Sequence, residues 1–236
     1  YANWLKSVVF NHNGQLLASG GQDFIVRLWN IHTGKCIKEL HGHIDWIRCL
    51  AFSNDGNILA SGSSDSTIRL WNTHTGECLT ILQINNHKVY ALAFSPDSNT
   101  LAIASGNAMQ LWSFEKKQDI YTIEAHLDWI KILIFSSDGH ILASRSDDDS
   151  VKLWDVNTGI CIKTLTGKTN WLRTGTFNHD TTILATCSDD YVIRLWNIST
   201  GQCFMTLEEH TGQIKALAFS HDGQVIASGS DDLKVK

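Results

Sequence analysis

HGHIDWIRCLAFSNDGNILASGSSDSTIRLWNTHTGECLTIL, residues 41–82, carries the pattern that decides the fold. WIRCLAFS (Trp46 to Ser53) is apolar and β-branched enough for a strand, NDG (Asn54 to Gly56) is a turn, and NILASGS (Asn57 to Ser63) reads as the next strand. SDST (Ser64 to Thr67) turns the chain into IRLWN, and HTGE (His74 to Glu77) turns it again into CLTIL. Four short strands joined by tight turns make a meander that cannot bury both faces alone, so copies of it must stack on one another.

The same unit recurs on both sides of this stretch. Trp29, Trp71, Trp112, Trp154 and Trp196 follow one another at intervals of 42, 41, 42 and 42 residues, the period of a four-stranded blade. A second series, Trp4, Trp46, Trp129 and Trp171, has intervals of 42, 83 and 42, with Lys88 at the missing member. Copies of the repeat are expected at about 1–40, 41–82, 83–123, 124–165, 166–207 and 208–236.

Composition removes several classes of function. An apolar content of 43% with 18% charged residues is that of a soluble globular protein. The net charge of −5, without a polybasic run, speaks against nucleic acid as a partner, because binding its backbone needs clustered Lys and Arg. No apolar run approaches the roughly 20 residues that span a bilayer, and no charged-then-apolar leader opens the chain, so a membrane is not an expected partner either. Export or anchoring would have to come from outside these residues.

Six cysteines suggest a disulfide framework, but Cys36, Cys78, Cys161 and Cys203 hold the same place in successive copies. Equivalent positions in neighbouring blades should lie beyond the roughly 4.4–6.8 Å between Cα atoms that a disulfide needs. All six are read as free thiols, which fits a reducing, cytoplasmic location. His41 and His43 form a pair that no other copy repeats, and CxxC and HExxH spacings are absent, so no metal is expected. Asp147, Asp148 and Asp149 read as a solvated turn rather than a calcium site, while His12, His179 and His221 share one turn position and are too dispersed to converge on a metal. With no phosphate-cradling loop and no nucleophile beside a base, neither a cofactor nor an enzymatic activity is expected.

HGHIDW at His41 to Trp46, SGSSDSTIRLWN at Ser61 to Asn72 and SDDYVIRLWN at Ser188 to Asn197 carry a resemblance to a known family. With LWN-type triplets recurring at the blade period, the chain resembles the WD-repeat β-propeller family over essentially its whole length. AFSNDGNILASGS and TGQCFMTL are similar to bacterial tandem arrays carried at the end of larger signalling chains. The resemblance implies an all-β fold, a β-propeller of four-stranded antiparallel blades with about 5.6 repeats present. By that count the chain is expected to be a piece of a longer propeller of six, seven or more blades.

It also implies a structural hydrogen-bond chain through a His before the first strand, a Ser or Thr in the second, an Asp in the next turn and the Trp of the third. The second copy supplies His43, Ser61, Asp65 and Trp71, and the fourth supplies His126, Ser144, Asp148 and Trp154. The fifth keeps Thr186, Asp190 and Trp196, with Lys168 where His is expected. A buried indole N–H and a buried imidazole each need a partner, and recurrence from copy to copy marks these groups as structural rather than as a hydrolase triad. Only Trp154 is followed by Asp, at Asp155. The third copy departs most: Asn85 replaces the His, and SGNAMQLW is one residue short with no Asp in its turn. That blade should be locally less stable, or shaped for something.

Aligning the copies at the first strand brings Trp4, Trp46, Lys88, Trp129, Trp171 and Gln213 to one position. Two residues on, the column reads Lys6, Arg48, Tyr90, Lys131, Arg173 and Lys215. The resemblance places both columns on the loop-rich face, at the mouth of the central channel. Indoles beside cations suit a protein or acidic peptide. The expected function is thus a non-catalytic protein–protein interaction scaffold or recognition module, or the sensor part of a signalling protein. The alternative is a sensor propeller that binds a small ligand or glycan on its aromatic ring.

Overall fold

A computed structural model describes residues 4–84, 87–165, 174–220 and 222–236. The described residues contain strands and turns and no helix. Sheet 1 comprises β1 (Leu5–Phe10), β2 (Leu16–Gly21), β3 (Val26–Asn30) and β4 (Lys35–Leu40). Sheet 2 comprises β5 (Ile47–Phe52), β6 (Ile58–Ser63), β7 (Thr67–Asn72) and β8 (Cys78–Gln83). Sheet 3 comprises β9 (Val89–Phe94), β10 (Thr100–Ser105), β11 (Ala108–Ser113) and β12 (Gln118–Glu124). In sheet 4 the strands are β13 (Ile130–Phe135), β14 (Ile141–Ser146), β15 (Val151–Asp155) and β16 (Cys161–Leu165). Sheet 5 has β17 (Thr174–Phe177), β18 (Ile183–Cys187), β19 (Ile193–Asn197) and β20 (Cys203–Leu207), and sheet 6 has β21 (Ile214–Phe219) and β22 (Ile226–Ser230). Within every sheet, chain neighbours pair antiparallel in chain order, which is the meander the repeat predicts.

Two compact units divide the chain, Tyr1–Ala125 with sheets 1 to 3 and His126–Lys236 with sheets 4 to 6. Short polar turns set the strand register. After the first strand of sheet 2, Ser53 Oγ donates to Asp55 and accepts the Ile58 N–H, while Gly56 takes a φ of 74°. The turn after the second strand places a left-handed residue just past the Asp: Phe24, Ser66, Asp149, Tyr191 and Leu233 all have φ near 65°. In sheet 3 that turn is shortened to Gly106–Asn107, between paired Ser105 and Ala108, and the positive φ falls on glycine.

Apolar cores lie between consecutive sheets of each unit. Ala18, Val26, Leu28, Ile47, Leu59 and Trp71 close sheet 1 against sheet 2. Ile68, Leu70, Val89, Leu101, Ile103 and Trp112 close sheet 2 against sheet 3. In the second unit, Ala143, Leu153, Leu184 and Trp196 join sheets 4 and 5, and Cys187, Ile193 and Ile214 help join sheets 5 and 6. The period-42 tryptophan therefore packs its own sheet onto the one before it, and burying so large a ring is a main source of inter-sheet stability. Close approach depends on Gly62, where a Cβ would fall 2.6 Å from both Cys49 Sγ and Val89 Cγ1. Burial there pushes the Cys49 thiol up to about 12.

Candidate functional site

Inside sheet 2, the Trp71 indole N–H donates to Ser61 Oγ at 2.8 Å. Ser61 Oγ lies 2.7 Å from His43 Nε2, and His43 Nδ1 lies 2.8 Å from Asp65. With the imidazole neutral, each donor finds one acceptor: Trp to Ser, Ser to His, His to Asp. Asp65 also accepts the Ile44 N–H and the Thr67 hydroxyl. Burial holds His43 below its ordinary value, by more than Asp65 restores. Asp65 is held low despite its own burial, because the Thr67 hydroxyl, the His43 ring and the Ile44 N–H all stabilise the carboxylate.

Sheet 4 repeats the set, with Trp154 donating to Ser144, Ser144 beside His126, and His126 beside Asp148 at 2.7, 2.7 and 2.9 Å. Its carboxyl sits at about 2, where burial is outweighed by the Ser150 hydroxyl, the Leu127 N–H and the charge of His126. Sheet 6 has the same arrangement in His210, Ser228 and Asp232, a trio the sequence reading did not single out. Aligning the last copy on the second, His on His43 and Asp on Asp65, would have found it. In sheet 5, Trp196 donates to Thr186, but Asp190 pairs with Arg194. Lys168, expected in the His position, lies outside the described residues, as do Asn85, Trp171, Arg173 and His221.

Sheet 3 replaces the network instead of weakening it. Ile103 stands where sheet 2 has Ser61, since each pairs across the hairpin two residues before the Trp. The Trp112 ring packs edge-on against Phe114, which stacks on Phe94, at centroid distances of 4.7 and 5.3 Å. Polar satisfaction has been exchanged for an aromatic cluster, a substitution the short turn alone did not disclose.

The two face columns come together in the first unit. Trp4 and Trp46 are exposed at 70% and 37% of their surface. Lys6 Nζ lies 5.2 Å from the Trp4 ring centroid and 5.7 Å from that of Trp46. Arg48 Cζ lies 5.8 Å from Trp46 and 5.0 Å from Tyr90, and its Nε donates to Ser64 Oγ. Aromatic and cationic groups thus alternate across sheets 1, 2 and 3. Among the described residues neither Lys6 nor Arg48 forms an ion pair; Asp45, the acid of the adjoining loop, is engaged by the Trp46 N–H. Lys88, which replaces the third tryptophan, is exposed.

The second unit spends its charge differently. Trp129 is half exposed and Lys131 Nζ lies 4.7 Å from its centroid, but the same ammonium pairs with Asp147 at 3.2 Å. Lys215 pairs with Asp231 at 3.0 Å and donates to Gln213 at 2.8 Å. Gln22, Ser64, Asp147 and Asp231 are equivalent, because each N–H donates to the carbonyl of the tryptophan-column residue of its own sheet. That facing column, neutral in sheets 1 and 2 and acidic in sheets 4 and 6, is the determinant the sequence reading missed. It was present in the alignment of the turns. Asp147 also meets Arg145, and Asp148 serves the buried His126, so the triple-Asp turn is largely committed within its own sheet. Among the described residues no group of His, Cys, Asp and Glu has the geometry to hold a metal ion, and no helix is long and apolar enough to cross a membrane.

The fold defines an all-β protein built of repeated four-stranded antiparallel blades. The chain matches the WD domain, G-beta repeat family over residues 2–30, 34–72, 76–113, 117–155, 159–197 and 201–236, and belongs to that family. Repeats of this kind generally mediate protein–protein interaction, and the proteins that carry them are typically non-catalytic scaffolds.

Proposed function

We propose that this chain is a protein-interaction module whose first unit recognises an acidic peptide segment through Trp4, Lys6, Trp46, Arg48 and Tyr90. The observation that carries the reading is the alternating aromatic and cationic row in which Lys6 and Arg48 have no carboxylate partner among the described residues. Exposed indoles offer contact area at low conformational cost, and cations held against them are already oriented for carboxylates. Trp129, Lys131 and Lys215 contribute less, because the ammonium groups are occupied by Asp147 and Asp231. Trp171 and Arg173 belong to the same columns by sequence. The role is non-catalytic and suits the recognition arm of a signalling protein. The four thiols exposed at equivalent strand positions, Cys36, Cys78, Cys161 and Cys203, suit a reducing cytoplasm.

Fluorescence anisotropy with labelled decapeptides tests this, one alternating Glu and Leu and one alternating Lys and Leu. The acidic peptide should bind, with an affinity that falls as salt rises, and the basic one should not. Equal binding of both, or capture of neutral glycans on an array in preference to the acidic peptide, overturns the reading.

A further inference from the structure

A second surface lies on sheet 3 and runs from its shortened turn to its outer strand. A groove of about 300 Å³ is bounded by Gln83 and Ile84 at the end of β8, His87 before β9, the shortened turn Ser105–Ala108, and Gln110, Asp119, Thr122 and Glu124 of the last two strands. It adjoins a second space of about 340 Å³ floored by Ile81, Leu82, Ile103 and Trp112, with Lys117 at its rim. The walls of the first space are mainly hydrogen-bonding groups, among them the Asp119 and Glu124 carboxylates and the His87 imidazole.

Three replacements create it. The position occupied by Arg27, Arg69, Lys152 and Arg194 in sheets 1, 2, 4 and 5 is Gln110 here, as the hairpin pairing shows. In sheet 1 that cation answers a carboxylate of the outer strand, Arg27 to Glu39 at 2.8 Å, and in sheet 5 Arg194 answers Asp190. Sheet 3 has Thr122 at the Glu39 position and has lost the cation, but its outer strand carries carboxylates of its own at Asp119, opposite Trp112, and Glu124, opposite Ala108. Second, the glycine that leaves room for the Arg69 guanidinium in sheet 2, Gly42, is represented by Ile84. Third, the short turn orphans a hydroxyl. Ser63 and Ser146 donate to the carbonyls of Asp45 and Asp128 and accept the N–H of Asp65 and Asp148. Ser105, their counterpart, is buried and its Oγ has no partner among the described residues. A buried hydroxyl without a partner is costly, so its place in the wall of a groove points to a group that arrives from outside.

We propose that this groove receives a guanidinium, the side chain of an arginine presented by a partner protein, in the place where the other sheets carry their own cation. Glu124 supplies the charge at the Ser105 end of the groove, with Asp119 a further carboxylate at the other end; the amide oxygens of Gln83 and Gln110 and the Ser105 hydroxyl supply further acceptors, and the planar donor fork of arginine matches several acceptors at once. Asn107 donates to Glu124 and so orients that carboxylate. The site stands independently of the aromatic and cationic row on the same unit, whose charge preference is the opposite.

Isothermal titration with N-acetyl-L-arginine amide, against the isosteric neutral N-acetyl-L-citrulline amide, tests the inference. The arginine probe should bind at least about tenfold more tightly than citrulline, the discrimination a charge-assisted pair provides. Gln110→Arg restores the side chain found in sheet 2 and should abolish binding without lowering the melting temperature. Glu124→Gln should weaken binding several-fold, and the double variant Lys6→Ala with Arg48→Ala should leave it unchanged. Absence of arginine binding at tens of millimolar, equal binding of citrulline, or binding that survives Gln110→Arg in a folded protein would each overturn the assignment.

Discussion

Sheets 2 and 4 have nearly the same interior and different rims. His43, Ser61, Asp65, Trp71 and Thr67 correspond group for group to His126, Ser144, Asp148, Trp154 and Ser150, with hydrogen bonds that agree to within 0.2 Å. On the face, Arg48 meets the neutral Ser64 in one sheet, and Lys131 pairs with the acidic Asp147 in the other. Identical scaffolding with opposite local charge balance teaches that the buried network fixes the blade while the rim is free to vary. On the proposed function, recognition depends on which rim cations lack an internal counter-charge, more than on how many cations the repeats supply.

The largest effect should come from attacking the shared interior. Trp71→Ala removes an indole that is 2% exposed and takes away the N–H that Ser61 Oγ accepts, so it should cost about 3–5 kcal/mol in a urea titration. Trp154→Ala should cost a similar amount, and a marked inequality between the two would break the equivalence of the sheets. Acid should act on both sheets together. His43 and His126 have folded values below the ordinary 6.5, so the stability they confer is complete above that pH and is lost as pH falls through it. Asp65 and Asp148 are also held low, Asp148 to about 2, and their contribution is present above 3.8 and lost as pH falls towards 2. Urea midpoints should therefore decline in two stages, first below about 6.5 and again below about 4. A midpoint that is flat from neutrality to pH 5 would show that the imidazoles are not held neutral.

Rim changes should be smaller and should appear in binding. Replacing Lys6 and Arg48 together by Ala should weaken the Glu-Leu peptide about tenfold and flatten its salt dependence, whereas Lys131→Ala with Lys215→Ala should change affinity less than about twofold. Equal losses from the two pairs would mean that Asp147 and Asp231 do not neutralise their partners. Smallest of all, Trp46→Ala should cost less than about 1 kcal/mol of fold stability while still weakening the peptide, because its ring is partly in solvent.

The period of the tryptophans and the NDG and TGE turns made the blades legible, because strand, turn and strand recur with residue types that each have one local use. His43, Ser61, Asp65 and Trp71 were legible through the resemblance, since a buried polar chain needs all four members at fixed spacing. The rim was half legible. Lys6, Arg48, Lys131 and Lys215 form a column that alignment exposes, but their charge is decided by residues 16 positions away, such as Ser64 and Asp147, across a hairpin. Sheet 3 was legible only as a departure. Its missing Asp and short turn gave no sign that Ile103 and Phe114 would build an aromatic cluster, or that the loss of a cation at Gln110 would leave carboxylates lining a groove.

Exchanging the rim residues of the two sheets tests the central claim most directly. Anisotropy titrations of the Glu-Leu peptide at low salt would compare the native chain with Ser64→Asp and with Asp147→Ser, neither of which touches the buried networks. Giving Arg48 a carboxylate should weaken binding by roughly fivefold, about 1 kcal/mol, and freeing Lys131 should strengthen it. If Ser64→Asp leaves the affinity unchanged, or if both substitutions shift it in the same direction, the unpaired cations of the first unit are not what the acidic partner reads.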